Sequence, residues 1–184
     1  MNDFITENLR GFEIKLKLKP GVFSPRSVDS GSKLFIDHLK VADGTVIADV
    51  GCGSGVIGIV AAKLNPSGHV QLLDDHLRST ELARENVELN RLKNAEVYLS
   101  DVFSAVGERT YHQIISNPPQ HLSNDFLDFL AGEFNKHLKP GGEIWWVVQK
   151  HLKPFIKRLF DNHFGNCTIV AHGQEHVVLK AKRE

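Results

Sequence analysis

The chain has 184 residues, of which 41% are hydrophobic and 24% charged, the proportions of one soluble globular domain with a proper core. Lys plus Arg and Asp plus Glu balance at 22 each, which removes any global electrostatic case for a nucleic-acid partner and leaves only local patches. Cys52 and Cys167 are far apart and lack CxxC spacing, which argues against a disulfide scaffold or zinc site and fits a reducing cytoplasm. The first residues lack a basic and apolar leader, and no later segment is long enough to span a bilayer. The ten histidines are scattered without ligand-pair spacing, so no metal is expected.

In chain order, residues 12–19 alternate apolar and charged side chains and predict a half-exposed strand, turned by Pro20-Gly21. Residues 1–29 read as a strand or hairpin extension, and 30–184 as the core of a single domain. Residues 30–40 predict a short amphipathic helix with Leu34, Phe35, His38 and Leu39 inward. Strands and helices then alternate: strand 46–50, helix 56–64, strand 69–73, helix 77–91, strands 95–99 and 112–116, helix 124–138. Lys139-Pro140-Gly141-Gly142 stops that helix, and strand 143–149, helix 153–163 and closing strands 167–171 and 176–181 follow. Repeated βα units with a closing hairpin predict a doubly wound, Rossmann-like α/β fold. Its seven-stranded sheet is mainly parallel, with one antiparallel strand and helices on both faces. Trp145 and Trp146 adjoin on a central strand, so one faces each side, both as core.

The strand ends carry the chemistry. Asp49-Val50-Gly51-Cys52-Gly53-Ser54-Gly55 lies between the first buried strand and its helix, where glycines let the backbone turn sharply beside a ligand. Gly53 to Gly58 formally matches the dinucleotide GxGxxG pattern, a weak signal alone. Asp49 is poorly placed for a pyrophosphate. It suits a ligand bearing an ammonium, such as the methionine end of S-adenosylmethionine (SAM). The next strand ends in Leu73-Asp74-Asp75, with Asp74 facing the crevice to bind a ribose diol and Asp75 capping the following helix. The third ends in Ser100-Asp101-Val102, where Asp101 can accept from an adenine amino group; taken alone, such an acid more often serves a turn.

The fourth strand ends in Asn117-Pro118-Pro119-Gln120. Two prolines cannot extend a central strand, and the residue before a proline is pushed to extended geometry. Asn117 is thus held at the carboxyl edge, suited to accept hydrogen bonds from a planar NH2 group. A proline turn capped by Asn is the alternative for the tetrapeptide alone. An NAD-dependent dehydrogenase has no evident use for this element, and no hydride-transfer set of side chains is apparent.

These segments, together with Pro20-Gly21-Val22-Phe23-Ser24, Glu81-Leu82-Ala83-Arg84-Glu85-Asn86 and the closing strand, resemble the small-domain family of SAM-dependent methyltransferases. The resemblance spans nearly the whole chain. It is strongest to the bacterial rRNA guanine-N2 methyltransferases and their single-domain relatives. It implies a class I methyltransferase fold with SAM as cofactor and S-adenosylhomocysteine as product. By that resemblance Asp49, Gly51, Cys52, Gly53 and Gly55 hold the methionine part, Asp74 the ribose, and Asp101 with Val102 the adenine. Asn117, with the carbonyl of Pro118 and the rigid Pro119, receives the target amine and borders the cofactor. The implied reaction is methylation of guanine N2 in ribosomal RNA, with rRNA or a ribosomal subunit as partner. A cytoplasmic monomer or weak dimer, without membrane or metal, is expected. Acceptors such as a protein glutamine or a small-molecule amine stay open, as does a SAM-binding, RNA-associated module without turnover. Gln120 stands where family members carry an aromatic or aliphatic residue, which leaves stacking on the base to Phe23 or His121 beside it. Ser123 stands where the rRNA enzymes tend to have glycine. Lys15, Lys17 and Lys19 on one strand face could touch phosphates but read better as a solvated edge that discourages strand pairing. Lys150, Lys153, Lys157 and Arg158 around the last helix are a second candidate RNA footprint, equally readable as solvated surface.

Overall fold

In the computed structural model, which describes residues 4–19, 27–119 and 122–184, the alternating N-terminal segment is the second half of a hairpin. β1 (Ile5–Leu9) pairs antiparallel with β2 (Phe12–Leu16) across Arg10 and Gly11, whose φ values of 55° and 81° match the tight turn that joins twisted strands. Ile14 and Leu16 are fully buried, so the alternation does turn one face inward. A hairpin was among the expectations for this extension, but the bounds of β1 were not, because residues 5–9 lack that alternation.

Helix α1 (Ser30–His38) starts at Asp29, whose carboxylate accepts from Ser32 N at 2.9 Å. Phe35, Ile36 and Leu39 are buried, but His38 is exposed, contrary to its expected inward position. Gly31, Ser32, Phe35 and Ile36 form the buried stripe, and His38 Nδ1 instead meets Leu34 O at 2.9 Å. The core continues with β3 (Val46–Val50), α2 (Val56–Leu64), β4 (His69–Asp74), α3 (Leu77–Leu89), β5 (Ala95–Leu99) and β6 (Tyr111–Ser116). α4 (Asn124–His137), β7 (Leu138–Gln149), a short 3-10 turn, α5 (Lys153–Phe164), β8 (Thr168–His172) and β9 (His176–Lys182) complete it.

The seven-stranded sheet runs β5-β4-β3-β6-β7-β9-β8, and β9 alone is antiparallel to its neighbours. β7 begins at Leu138, earlier than its breaker residues suggest. Its register against β6 slips between Tyr111–Leu138 and Gln113–Glu143, so an irregularity absorbs Pro140-Gly141-Gly142 instead of ending the strand. A Cβ at Gly142 would lie 2.9–3.1 Å from three backbone oxygens, which explains the glycine. The hairpin and α1, α2 and α3 pack on one face, and α4 and α5 on the other. Trp145 meets Phe35 edge-on at 6.4 Å on the first face; Trp146 meets Phe134 and Phe160 at 5.7 and 5.3 Å on the second. From β3 the chain winds outward to β5 and returns to β6 on the other side, so the sheet changes direction between β3 and β6. Open α/β sheets bind ligands outside the carboxyl ends at such a switch point.

The hairpin is fastened by side-chain amides. Asn86 and Asn90, one turn apart on α3, rise about 6 Å along the helix, close to the two-residue repeat of a strand. Asn86 Oδ1 accepts from Lys17 N at 2.7 Å, and its Nδ2 donates to Lys17 O and Ser54 O. Asn90 makes the matching pair with Lys15 N and O. Replacing Asn86 by Leu would strand the partners on Lys17 and Ser54 at similar volume. We expect a loss of roughly 2–4 kcal/mol, measured by urea unfolding; a loss under about 0.5 kcal/mol, the range of ordinary surface changes, would contradict this role.

Candidate functional site

The turn from β3 into α2 is built on positive φ. Gly51, Gly53 and Gly55 adopt 72°, 56° and 84°, a region other residues enter only with strain. Gly51 N and Cys52 N donate to Leu73 O at 2.8 and 3.1 Å, fastening the loop to β4. Asp49 is 1% exposed, and its Oδ2 accepts from Gly58 N at 2.8 Å within the first turn of α2. A Cβ at Gly58 would sit 2.7 Å from Leu72 Cγ and 2.9 Å from that oxygen, so only glycine permits the contact. Burial pushes the Asp49 carboxyl up to about 7, against the Gly58 N–H and with the help of the Asp74 charge. Asp49 therefore lies beneath the loop, and the residues that line the crevice are its neighbours Val50, Gly51, Cys52 and Gly53.

Asp74 points under the same loop. Its Oδ2 accepts from Gly53 N at 2.8 Å and its Oδ1 from His76 N at 3.0 Å, which leaves further lone pairs toward the crevice. Asp75 does not cap α3. His76 holds the N-cap position without a side-chain bond, and Asp75 Oδ1 meets His76 Nδ1 at 2.6 Å, raising the His76 pKa. Asp74, Asp75 and His76 form the cluster among the described residues whose atoms lie close enough, within 4.8 Å, to share a cation. Asp74 and His76 are already engaged with protein partners. After β5, Val102 adopts φ 48°, unusual for a β-branched residue and of the kind that concentrates at ligand sites. The turn holds it there: Ser100 Oγ donates to Val102 O at 2.9 Å and accepts from Ala105 N at 3.1 Å, while Ser104 Oγ accepts from Asp101 N at 3.1 Å. Asp101 is exposed on this turn.

Asn117 directly follows β6, which runs beside β3. Ser116 Oγ donates to Val50 O at 2.7 Å, locking the two strand ends together. Asn117 Nδ2 donates to Ser32 Oγ at 3.2 Å, and among the described residues no hydrogen bond reaches its Oδ1. Ser32, 3% exposed at the start of α1, was not found from the sequence, where 85 residues separate it from its partner. Ser123 accepts from Phe126 N at 3.2 Å and caps α4, which accounts for a serine there.

These elements surround a cavity of about 520 Å³, the size of small-ligand and cofactor sites. Gly51, Cys52, Gly53, Asp74, Asp101 and Val102 line one half; Ser32, Asn117, Pro118, Pro119 and Phe126 line the other. Gly55 stays behind the wall, where a Cβ would meet Leu72 and Ala83 at 3.0 and 3.2 Å. Burial raises the Cys52 thiol well above its usual range, so it is a neutral wall residue and no nucleophile. Phe23, Gln120 and His121 lie outside the described residues. Phe126 was not singled out from the sequence, because its spacing on α4 reads as ordinary amphipathic helix.

The family model of the methyltransferase small domain matches residues 13–180. The chain is 36% identical over 178 residues to ribosomal RNA small subunit methyltransferase C of Vibrio cholerae, covering 95% of this chain and 51% of that one. It is 35% identical over 167 residues to ribosomal RNA large subunit methyltransferase G of Cronobacter sakazakii, covering 87% and 44%. It superposes with a TM-score of 0.89 and 27% identity on the T. thermophilus 16S rRNA N2 G1207 methyltransferase in complex with AdoMet and guanosine, covering 98% and 50%. The chain thus spans about half the length of each.

Asp49 sets a pH dependence. Its pKa of about 7 in the fold exceeds the unfolded value of about 3.9, so folding retains a proton that the unfolded chain releases. The stability from this neutral carboxyl is complete below about pH 4 and is lost as pH rises through about 7. Asp49→Asn can still accept from Gly58 N but cannot ionise. Thermal unfolding of the variant should therefore gain on the original between about pH 4 and about pH 7 and hold a constant lead above about pH 8; a difference constant with pH across that window would contradict the buried acid.

Proposed function

Because the chain belongs to the methyltransferase small-domain family, we propose that it methylates an exocyclic amine, guanine N2 of ribosomal RNA, with SAM as donor. One observation carries the reading. Asn117 presents a carboxamide oxygen that no group among the described residues claims, across one cavity from the glycine loop, Asp74 and the Asp101-Val102 turn. The homologous fold in T. thermophilus carries AdoMet and guanosine together, and the V. cholerae and C. sakazakii relatives are rRNA methyltransferases.

SAM, when bound, supplies an activated methyl group and its own leaving group. The residues of this chain bind, orient and exclude water. The N-terminal end of α2 and the loop at Gly51 to Gly53 form the wall for the methionine part, and Asp49 positions that wall from below. Asp74, fixed by Gly53 N and His76 N, accepts from the ribose diol. Asp101 accepts from the adenine amine, with Val102 as its neighbour in the strained turn. On the acceptor side the target NH2 donates one proton to Asn117 Oδ1 and the other to the Pro118 carbonyl, which aims the nitrogen lone pair along the line of transfer. Ser32 holds the Asn117 amide in the orientation this requires. The proton lost after transfer leaves to water, so no general base has to be built.

The test is transfer of labelled methyl from SAM to isolated rRNA and to ribosomal subunits. Asn117→Ala should lower turnover by roughly 10²–10³-fold while SAM affinity, read by calorimetry, changes little. Label on protein alone, or equal transfer by the variant, would contradict the reading.

A further inference from the structure

The two cationic groups separate in the structure. Lys15 lies 3.8 Å from Glu13, and Lys17 and Lys19 close on Glu85 at 3.0 and 2.6 Å, so the N-terminal face is largely neutralised. Residues 150–158 contain Lys150, Lys153, Lys157 and Arg158 and no carboxylate. Lys157 pairs with Asp161 at 2.7 Å, whereas among the described residues Lys150, Lys153 and Arg158 form no ion pair. This free charge sits at the acceptor side. β7 pairs with β6 in register through Ser116–Trp146, so Lys150 and the start of α5 leave the sheet at the same edge as Asn117.

Two aromatic rings lie at that edge as well. Phe126 and Phe129, in the first turns of α4, are 39% and 51% exposed, with centroids 5.9 Å apart and planes tilted by 32°. Phe126 lines the cavity with Pro119 and Leu122. Folding gains nothing from leaving two adjacent phenylalanine rings in water, and exposed apolar patches of this kind mark contact surfaces. Exposed ring faces at the sheet edge that also carries unpaired cations match the chemistry of unpaired nucleotides, whose bases stack and whose phosphates attract charge. A duplex keeps its bases stacked on one another and offers the rings no face.

We propose that the rim formed by α4 and the start of α5 is the docking track for single-stranded RNA around the target nucleotide. Phe126 and Phe129 stack on bases, and Lys150, Lys153 and Arg158 contact phosphates. Phe126 thereby supplies the stacking face that Gln120 cannot. The assignment rests on the methyltransferase reading for what the track serves, but RNA affinity is measured without turnover.

Fluorescence anisotropy of the full chain with a labelled, mixed-sequence single-stranded RNA and with an RNA duplex provides the test. Lys150→Glu/Lys153→Glu should weaken single-strand binding at least tenfold and flatten the log–log salt dependence by about 1.4, two contacts at ~0.7 each. Phe126→Ala/Phe129→Ala should weaken it at least about thirtyfold, two stacks at ~1 kcal/mol or more each, with the salt slope unchanged. Lys17→Ala/Lys19→Ala should leave it unchanged. Preference for the duplex, equal loss from the Lys17/Lys19 substitutions, or tighter binding of polyglutamate than of RNA would overturn the track. Absence of RNA binding by protein that binds SAM in calorimetry would overturn the track and leave the cofactor reading standing. RNA binding without SAM binding would do the reverse.

Discussion

The bond from Gly58 N to the buried carboxylate of Asp49, 2.8 Å long, joins the last turn of a strand to the first turn of a helix. Much else at the site follows from that closure. The loop between them has to pass through three left-handed glycines, and the helix has to press so close that Leu72 and Asp49 leave no room for a Cβ at Gly58. Closure brings Gly53 N onto Asp74 and Ser54 O onto Asn86, so β4, α3 and the hairpin are tied to one loop. Burying an acid to do this costs free energy, as its raised pKa records. The cost is offset by the N–H it satisfies and by the rigidity of the wall it supports.

The second half of the site is assembled across long sequence separations. Ser116 ties β6 to β3 through Val50 O, and Ser32 reaches Asn117 from α1. Consecutive prolines fix the backbone after Asn117, and Ser32 fixes its amide, so the acceptor group is held from both ends. Such rigidity suits a reaction whose activated carbon arrives with its own leaving group, where positioning supplies most of what a protein can contribute.

The legible parts of the sequence were those governed by local rules. Buried strand 46–50, edge strand 95–99 and helix 56–64 match their expected bounds, because local residue patterns specify them. The Trp145-Trp146 pair divides between the faces as period-two geometry demands. What escaped depends on tertiary partners. β1 has a partner strand but no alternation of its own, and β7 runs through Pro140-Gly141-Gly142 because an irregularity beside β6 accommodates it. Asp75 looks like a cap but finds His76 first, and His38 falls off the buried stripe by one position. At the site, glycine spacing and strand-end acids located the cavity. Its depth was hidden: nothing local says that Asp49 is roofed over while Asp74 is not, or that Ser32 orients Asn117.

The account centres on one claim, that the carboxyl edge of the sheet presents an exocyclic amine to the methyl of SAM. The most direct measurement is mass spectrometry of nucleosides digested from rRNA after reaction with deuterated-methyl SAM. The account predicts the label on N2 of guanosine, carried by the nitrogen that Asn117 and Pro118 receive. Label on a ribose oxygen or a ring carbon, neither of which offers two protons to those acceptors, would contradict it.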